Sequence, residues 1–212
     1  MASAPSDLPE LPDGAFAKHD TAPDPLFYVQ PRFVTHIDAG AVSAVTGLYR
    51  ALLPPGGTIL DLMSSWVSHL PEDAAYAEVV GHGLNARELA ANPRLTRSFV
   101  QDLNADPCLP LATASVDAAT LCVSVQYLQP PVAVLREVAR VLRPGAPVIA
   151  SFSNRCFPTK AVAIWGAVGG DDHARLVALY LQRAGFVAVE RRTLVPAGGP
   201  GDPLTAVVGW TP

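Results

Sequence analysis

From residue 58 onward, short runs that are apolar almost throughout alternate with stretches of helical spacing. The run at 116–125, VDAATLCVSV, is the clearest, with Asp117 its single charged residue. A strand that is apolar on both faces must be covered on both faces. Parallel sheets flanked by helices are the usual way to do that. Comparable runs lie at 58–62, 78–82, 97–101 and 148–152, and two β-rich stretches, 186–194 and 205–210, follow close together. Between them, apolar residues recur at three and four in 86–91, 132–142 and 172–184. In 132–142, Val134, Leu135, Val138 and Leu142 form one face, and Arg136, Glu137 and Arg140 the other. The expected fold is α/β: a doubly wound sheet of seven strands, mostly parallel, with an antiparallel C-terminal strand.

Upstream, residues 27–52 carry helical spacing through Val42, Val45, Leu48, Tyr49 and Leu52, and Pro54-Pro55-Gly56-Gly57 stops the helix. Residues 1–25, rich in Pro, Ala and Asp, read as a flexible arm, leaving 26–212 as a single domain. Half the 212 residues are hydrophobic and 16% are charged, as in a well-buried core. A net charge of −4 without a basic stripe argues against nucleic acid as a partner. No apolar run is long enough to span a bilayer. The acidic, Pro-rich start is unlike a signal peptide, so a cytoplasmic location is expected. Cys108, Cys122 and Cys156 are widely spaced and odd in number, which reads as buried reduced thiols. No Cys or His pair has ligand spacing, so no metal site is expected.

Open α/β sheets bind ligands past the carboxyl ends of their strands, where strand order reverses. The informative residues therefore follow each apolar run: Asp61 to Ser65, then residues 81–85 (GHGLN), 101–104 (QDLN), 124–128 (SVQYL) and 153–156 (SNRC). Ser64 and Ser65 read either as hydroxyls offered to a ligand or as the N-cap of a one- to two-turn helix at 66–70 that Pro71 ends. Trp66 reads as a stacking surface or as a packing residue. His69 and His82, the histidines near strand ends, read as general bases or as hydrogen-bonded structural residues. Arg155 is suited to a substrate carboxylate or phosphate, or to a solvated loop. Tyr28 and Arg32 sit where an N-terminal lid would fold over the site.

Two stretches carry a resemblance. Leu109-Pro110-Leu111, Val116-Asp117-Ala118 and Val125-Gln126-Tyr127-Leu128 form the first, and LREVARVLRPGA at 135–146 the second. Together they resemble the class I S-adenosylmethionine-dependent methyltransferases, of the small single-domain, methyltransferase type 11-like kind, over about residues 58–154. The resemblance implies a Rossmann-like sheet, S-adenosylmethionine as cofactor and a small-molecule methyl acceptor.

The family's first strand ends in an acid and a G-x-G-x-G turn. Here Asp61 stands at the acid, but Met63, Ser65 and Val67 stand at the three glycines. The family's second strand ends in an acid that holds the ribose hydroxyls. Gly83 stands there, which leaves that task to Asn85 or His82. Asp102 matches the acid that faces the adenine amino group. The residues implied for the cofactor are thus Asp61, Ser64, Ser65, Asn85, Asp102, Leu103 and Ser124. Those implied to face substrate are His69, Gln126, Tyr127, Asn154 and Arg155. No catalytic residue is assigned. Besides the methyltransferase reading, the missing glycines leave open a non-catalytic methyltransferase-like binding or partner protein. An enzyme using another ligand on the same fold is a third reading, without a G-x-S-x-G elbow to support it.

Overall fold

The computed structural model describes residues 7–212. Its strands are β1 (Thr58–Asp61), β2 (Glu78–Gly83), β3 (Arg97–Val100), β4 (Ala118–Cys122), β5 (Pro147–Ser153), β6 (Val187–Val195) and β7 (Leu204–Trp210). They form one sheet in the order β3-β2-β1-β4-β5-β7-β6. All pairings are parallel except those of β7, which runs antiparallel to both β5 and β6. The helices are α1 (Asp24–Phe27), α2 (Ala39–Leu52), α3 (Ala86–Ala91), α4 (Pro131–Val141), α5 (Ala163–Ala167) and α6 (Asp171–Arg183). The expected fold is the one found.

Side chains of successive strand residues point to opposite faces, and the two cores divide accordingly. Leu60, Val80, Ala119, Val148 and Val207 pack with α4 and α6. Their neighbours Ile59, Val79, Ala118, Ile149 and Val208 pack with α2. Each helix starts where local chemistry allows it. Asp38 caps α2 by accepting from the Ala41 amide at 2.8 Å. Pro131 opens α4, where its missing N–H costs nothing.

Three expectations about the elements need correction. The fourth strand, expected at 116–125, is only Ala118–Cys122, because Val123 has φ 45° and the chain then enters a 3-10 turn at Val125–Tyr127. The helix expected within 27–52 begins at Ala39; the chain ahead of it runs irregularly over the sheet's carboxyl end. No helix forms at 66–70. Met63 and His69 bracket that stretch with φ of 55° and 53°, and both serine hydroxyls are engaged elsewhere. The chain between β1 and β2 is therefore without a helix.

The arm expected at 1–25 is laid against the domain from residue 7 onward; residues 1–6 lie outside the described residues. Leu8 and Ala15 are buried, and Leu8 joins the core beneath α4. The amides of Ala163 and Ile164 donate to Ala17 and Ala15 carbonyls, each at 2.8 Å. A buried charge cluster closes the segment. Lys160, without exposed surface, reaches Asp20 at 3.1 Å and Asp24 at 3.2 Å, and Lys18 reaches Asp24 at 2.5 Å. Buried ions persist only when paired in this way. Of the three thiols, which are all free, Cys108 is exposed rather than buried.

Candidate functional site

Strand order reverses between β1 and β4, and a cavity of about 650 Å³ opens at the carboxyl ends there. That volume lies within the range of small-molecule sites. Its wall includes Asp61, Ser64, Ser65, Asn85, Asp102, Leu103 and Ser124, along with His69, Tyr127, Asn154 and Arg155. Gln126 is not on the wall. The 3-10 turn buries it, and its amide donates to the Val123 carbonyl at 2.9 Å. Trp66 also stands off the wall. Its indole N–H donates to Val34 at 3.0 Å, and its ring meets Phe33, so it anchors the segment ahead of α2.

The glycine-free turn after β1 is built by exchange of roles. Met63 takes the left-handed conformation that glycine would adopt freely, at a cost of about 1–2 kcal/mol. Two bonds hold it: the Met63 amide donates to His82 Nδ1 at 3.0 Å, and the Ser64 amide to the His82 carbonyl at 2.6 Å. The Met63 side chain packs on the core beside the cavity and leaves the cavity open. The glycine lies opposite, in β2. A Cβ on Gly83 would sit 2.5 Å from the Ser64 carbonyl oxygen. The turn thus presses on the end of β2, and a side chain there is sterically forbidden.

His82 braces this arrangement. Its Nδ1 accepts from Met63, so the proton is on Nε2, which donates to the Gln101 carbonyl at 2.9 Å. Burial pushes its pKa down to about 4, so it stays neutral. Both ring nitrogens are thus engaged within the fold. Asn85 is likewise fully engaged. Its oxygen caps α3 through the Arg87 and Glu88 amides, and its nitrogen donates to Tyr28 at 2.8 Å and Val29 at 3.3 Å.

Asp61 is buried at the floor. It accepts from Ser64 Oγ at 2.6 Å and Thr120 Oγ1 at 3.1 Å. Burial nevertheless pushes its carboxyl up to about 6, against the pull of the Ser64, Ser68 and Thr120 hydroxyls. Asp102 accepts from the Asn104 amide at 3.0 Å at the end of β3. The Ser124 hydroxyl is a buried polar atom of the wall without a hydrogen-bond partner among the described residues.

His36, His69, Tyr127 and Phe157 also line the cavity. Burial lowers the pKa of both histidines and pushes the Tyr127 phenol up to about 12, so all three are uncharged at neutral pH. Tyr127 Oη accepts from the Phe157 amide at 2.9 Å. Arg155 is exposed and only loosely paired, 4.0 Å from Asp202.

Residues 24–36 roof the cavity, with Tyr28 and Arg32 on its wall. The Arg32 guanidinium lies 4.5 Å from the Phe27 ring centre and 5.4 Å from that of Phe157. Its amide donates to Glu88 Oε1 at 2.6 Å. Asn104 ties Asp24 to the Tyr127 carbonyl, at 2.8 and 3.0 Å. Sequence reasoning passed over Glu88, His36 and Phe157, and gave Asn104 a place at a strand end but no role. Glu88 reads as an ordinary first-turn acid of a short helix, and His36 and Phe157 have no local pattern.

Residues 64–150 match the model of a methyltransferase domain family. No curated protein sequence matches the chain. Among solved structures, the fold is similar to a Mesorhizobium loti S-adenosylmethionine-dependent methyltransferase at 20% identity and TM-score 0.53, over 78% of this chain and 97% of that one. It is similar to the cyclase SpnF at 16% identity and TM-score 0.59, over 79% and 80%. It is also similar to Haemonchus contortus phosphoethanolamine N-methyltransferase 2, solved with S-adenosyl-L-methionine, at 12% identity and TM-score 0.58, over 80% of this chain and 52% of that one.

Proposed function

We propose that this chain is a class I S-adenosylmethionine-dependent methyltransferase that transfers the cofactor's methyl group to a small molecule. The observation that carries the reading is the open cavity at the β1/β4 reversal, with a buried acid, Asp61, and a buried unpartnered hydroxyl, Ser124, on its wall. The donor set fits a zwitterion that carries a sulfonium. Asp61, held by the Ser64 hydroxyl, suits its positive groups, and the Ser124 hydroxyl suits its carboxylate. Asp102 and Leu103 suit the adenine, and Ser65 stands between the two ends. No phosphate cradle is present in the turn, because the short helix that would open one is missing.

The cofactor, when bound, supplies an already activated methyl group. The chain need then only align the acceptor and exclude water. The lid of residues 24–36 closes the roof. The uncharged His36 and His69 rings stand at the acceptor end as proton acceptors for a hydroxyl or thiol. Tyr127, Asn154 and Arg155 line the same end and suit an acceptor's polar groups. Titration calorimetry with S-adenosylmethionine and S-adenosylhomocysteine tests the reading. Micromolar binding of both supports it. An absence of heat up to millimolar ligand overturns it in favour of a non-catalytic partner protein.

A further inference from the structure

The sheet order β3-β2-β1 places the end of β2 between the adenine side at Asp102 and the turn at Ser64. A ribose joining the two ends of the cofactor therefore faces the wall made by β2 and α3. The polar groups of that wall can be counted. Gly83 has no side chain, and the Ser64 carbonyl forbids one. His82 uses both ring nitrogens. Asn85 uses its oxygen twice and its nitrogen twice. What remains is Glu88, a buried carboxylate on the cavity wall. Its Oε1 accepts from the Arg32 amide and its Oε2 from the Ser65 hydroxyl, each at 2.6 Å. A carboxylate has about four acceptor sites, so each oxygen keeps a lone pair for another donor.

We propose that Glu88 is the diol-reading residue of this site: its carboxylate accepts from the vicinal hydroxyls of a nucleoside ligand while holding the lid through Arg32. The proposal rests on the cofactor reading above. It assigns ribose recognition to the first turn of α3 rather than to the end of β2, and it makes one side chain contact ligand, turn and lid together. An acceptor already fixed by two donors presents its remaining lone pairs in a set geometry, which favours a pair of neighbouring hydroxyls over a single one.

The test is calorimetry of the full chain with S-adenosylhomocysteine and with its 2′,3′-dideoxyribose analogue, for the natural protein and for Glu88→Gln. Gln keeps the shape and the bond from Arg32 but replaces one acceptor by a donor. The natural chain is expected to prefer the ribose form by about 10- to 100-fold, and Glu88→Gln to reduce that preference to less than about threefold. Equal weakening of both ligands in the variant would mean that Glu88 acts only through the lid, and would overturn the proposal. A natural chain that binds both ligands alike overturns it without any variant, so the test survives a variant that does not fold; Glu88→Asp, which withdraws the carboxylate by one methylene, then replaces Gln. Absence of binding to either ligand removes the cofactor reading itself, and the diol assignment with it.

Discussion

Replacing Asp61 by Asn should stabilise the folded chain at pH 7 while weakening cofactor binding. Asp61 is 3% exposed, and its carboxyl is pushed up to about 6. An aspartate in the unfolded chain titrates near about 3.9. The gap of about two pH units, at about 1.4 kcal/mol each, comes to about 3 kcal/mol. A raised carboxyl pKa means that the folded state holds the proton more tightly. Between about pH 4 and 6 the folded chain keeps a proton that the unfolded chain has released, so this group's contribution to stability falls as pH rises, and the whole penalty stands above about pH 6. Asn removes the charge and can still pair with the Ser64 and Thr120 hydroxyls, which accept as well as donate. Asp61→Asn is therefore expected to gain up to about 3 kcal/mol at pH 7, shrinking to nothing below about pH 4.

His82 tilts the natural protein the other way. Its pKa is pushed down to about 4, so its contribution is lost as pH falls from about 6.5 through 4. The difference between variant and natural chain cancels that slope. Urea unfolding of both proteins from pH 4 to 8 measures it. A difference that does not change with pH, or a variant less stable at pH 7 than at pH 4 relative to the natural chain, would refute the reasoning. Calorimetry at pH 7 should show S-adenosylmethionine binding to the variant weakened by about tenfold or more, through loss of a charge that faces the ligand's positive groups.

Other outcomes follow from the same geometry. Ser124→Ala should leave the ligand-free melting temperature unchanged or slightly raised, because it removes a buried hydroxyl without a partner; cofactor affinity should fall by about tenfold in the same samples. Gly83→Ala should cost about 1–3 kcal/mol or more in chemical denaturation, since its Cβ meets a backbone carbonyl that the His82 bonds hold in place. Lys160→Met should cost about 3 kcal/mol in thermal unfolding by leaving Asp20 and Asp24 short of a partner. Amide exchange should then speed up across residues 18–36.

The alternation of apolar runs and amphipathic stretches was enough to read the sheet, because strand burial on both faces is a property of consecutive residues. β2, α3 and α4 fall within one residue of the patterns that announced them. The wall residues Asp61, Asp102 and Ser124 were legible for a related reason: ligand sites follow strand ends, and strand ends are written in the chain. Less legible were the stretches whose shape depends on distant partners. The 66–70 stretch is preceded by two hydroxyls suited to a cap, those of Ser64 and Ser65, but Asp61 and Glu88 take them. Gln126 follows a strand as Tyr127 does, yet the 3-10 turn directs one inward and the other to the cavity.

By itself, then, the sequence determined the doubly wound sheet, the strand-end position of the site and the loss of glycine from the first turn. Only the tertiary structure decided what that loss means. Met63 adopts a left-handed backbone because His82, nineteen residues away, bonds the two amides that fix it. Gly83 is a glycine because the turn lies against it. Glu88 and Asn85 bond to Arg32 and Tyr28 because residues 24–36 fold back across the cavity. Backbone strain and hydrogen-bond supply are settled between segments far apart in the chain, and local pattern carries no record of which segments will meet.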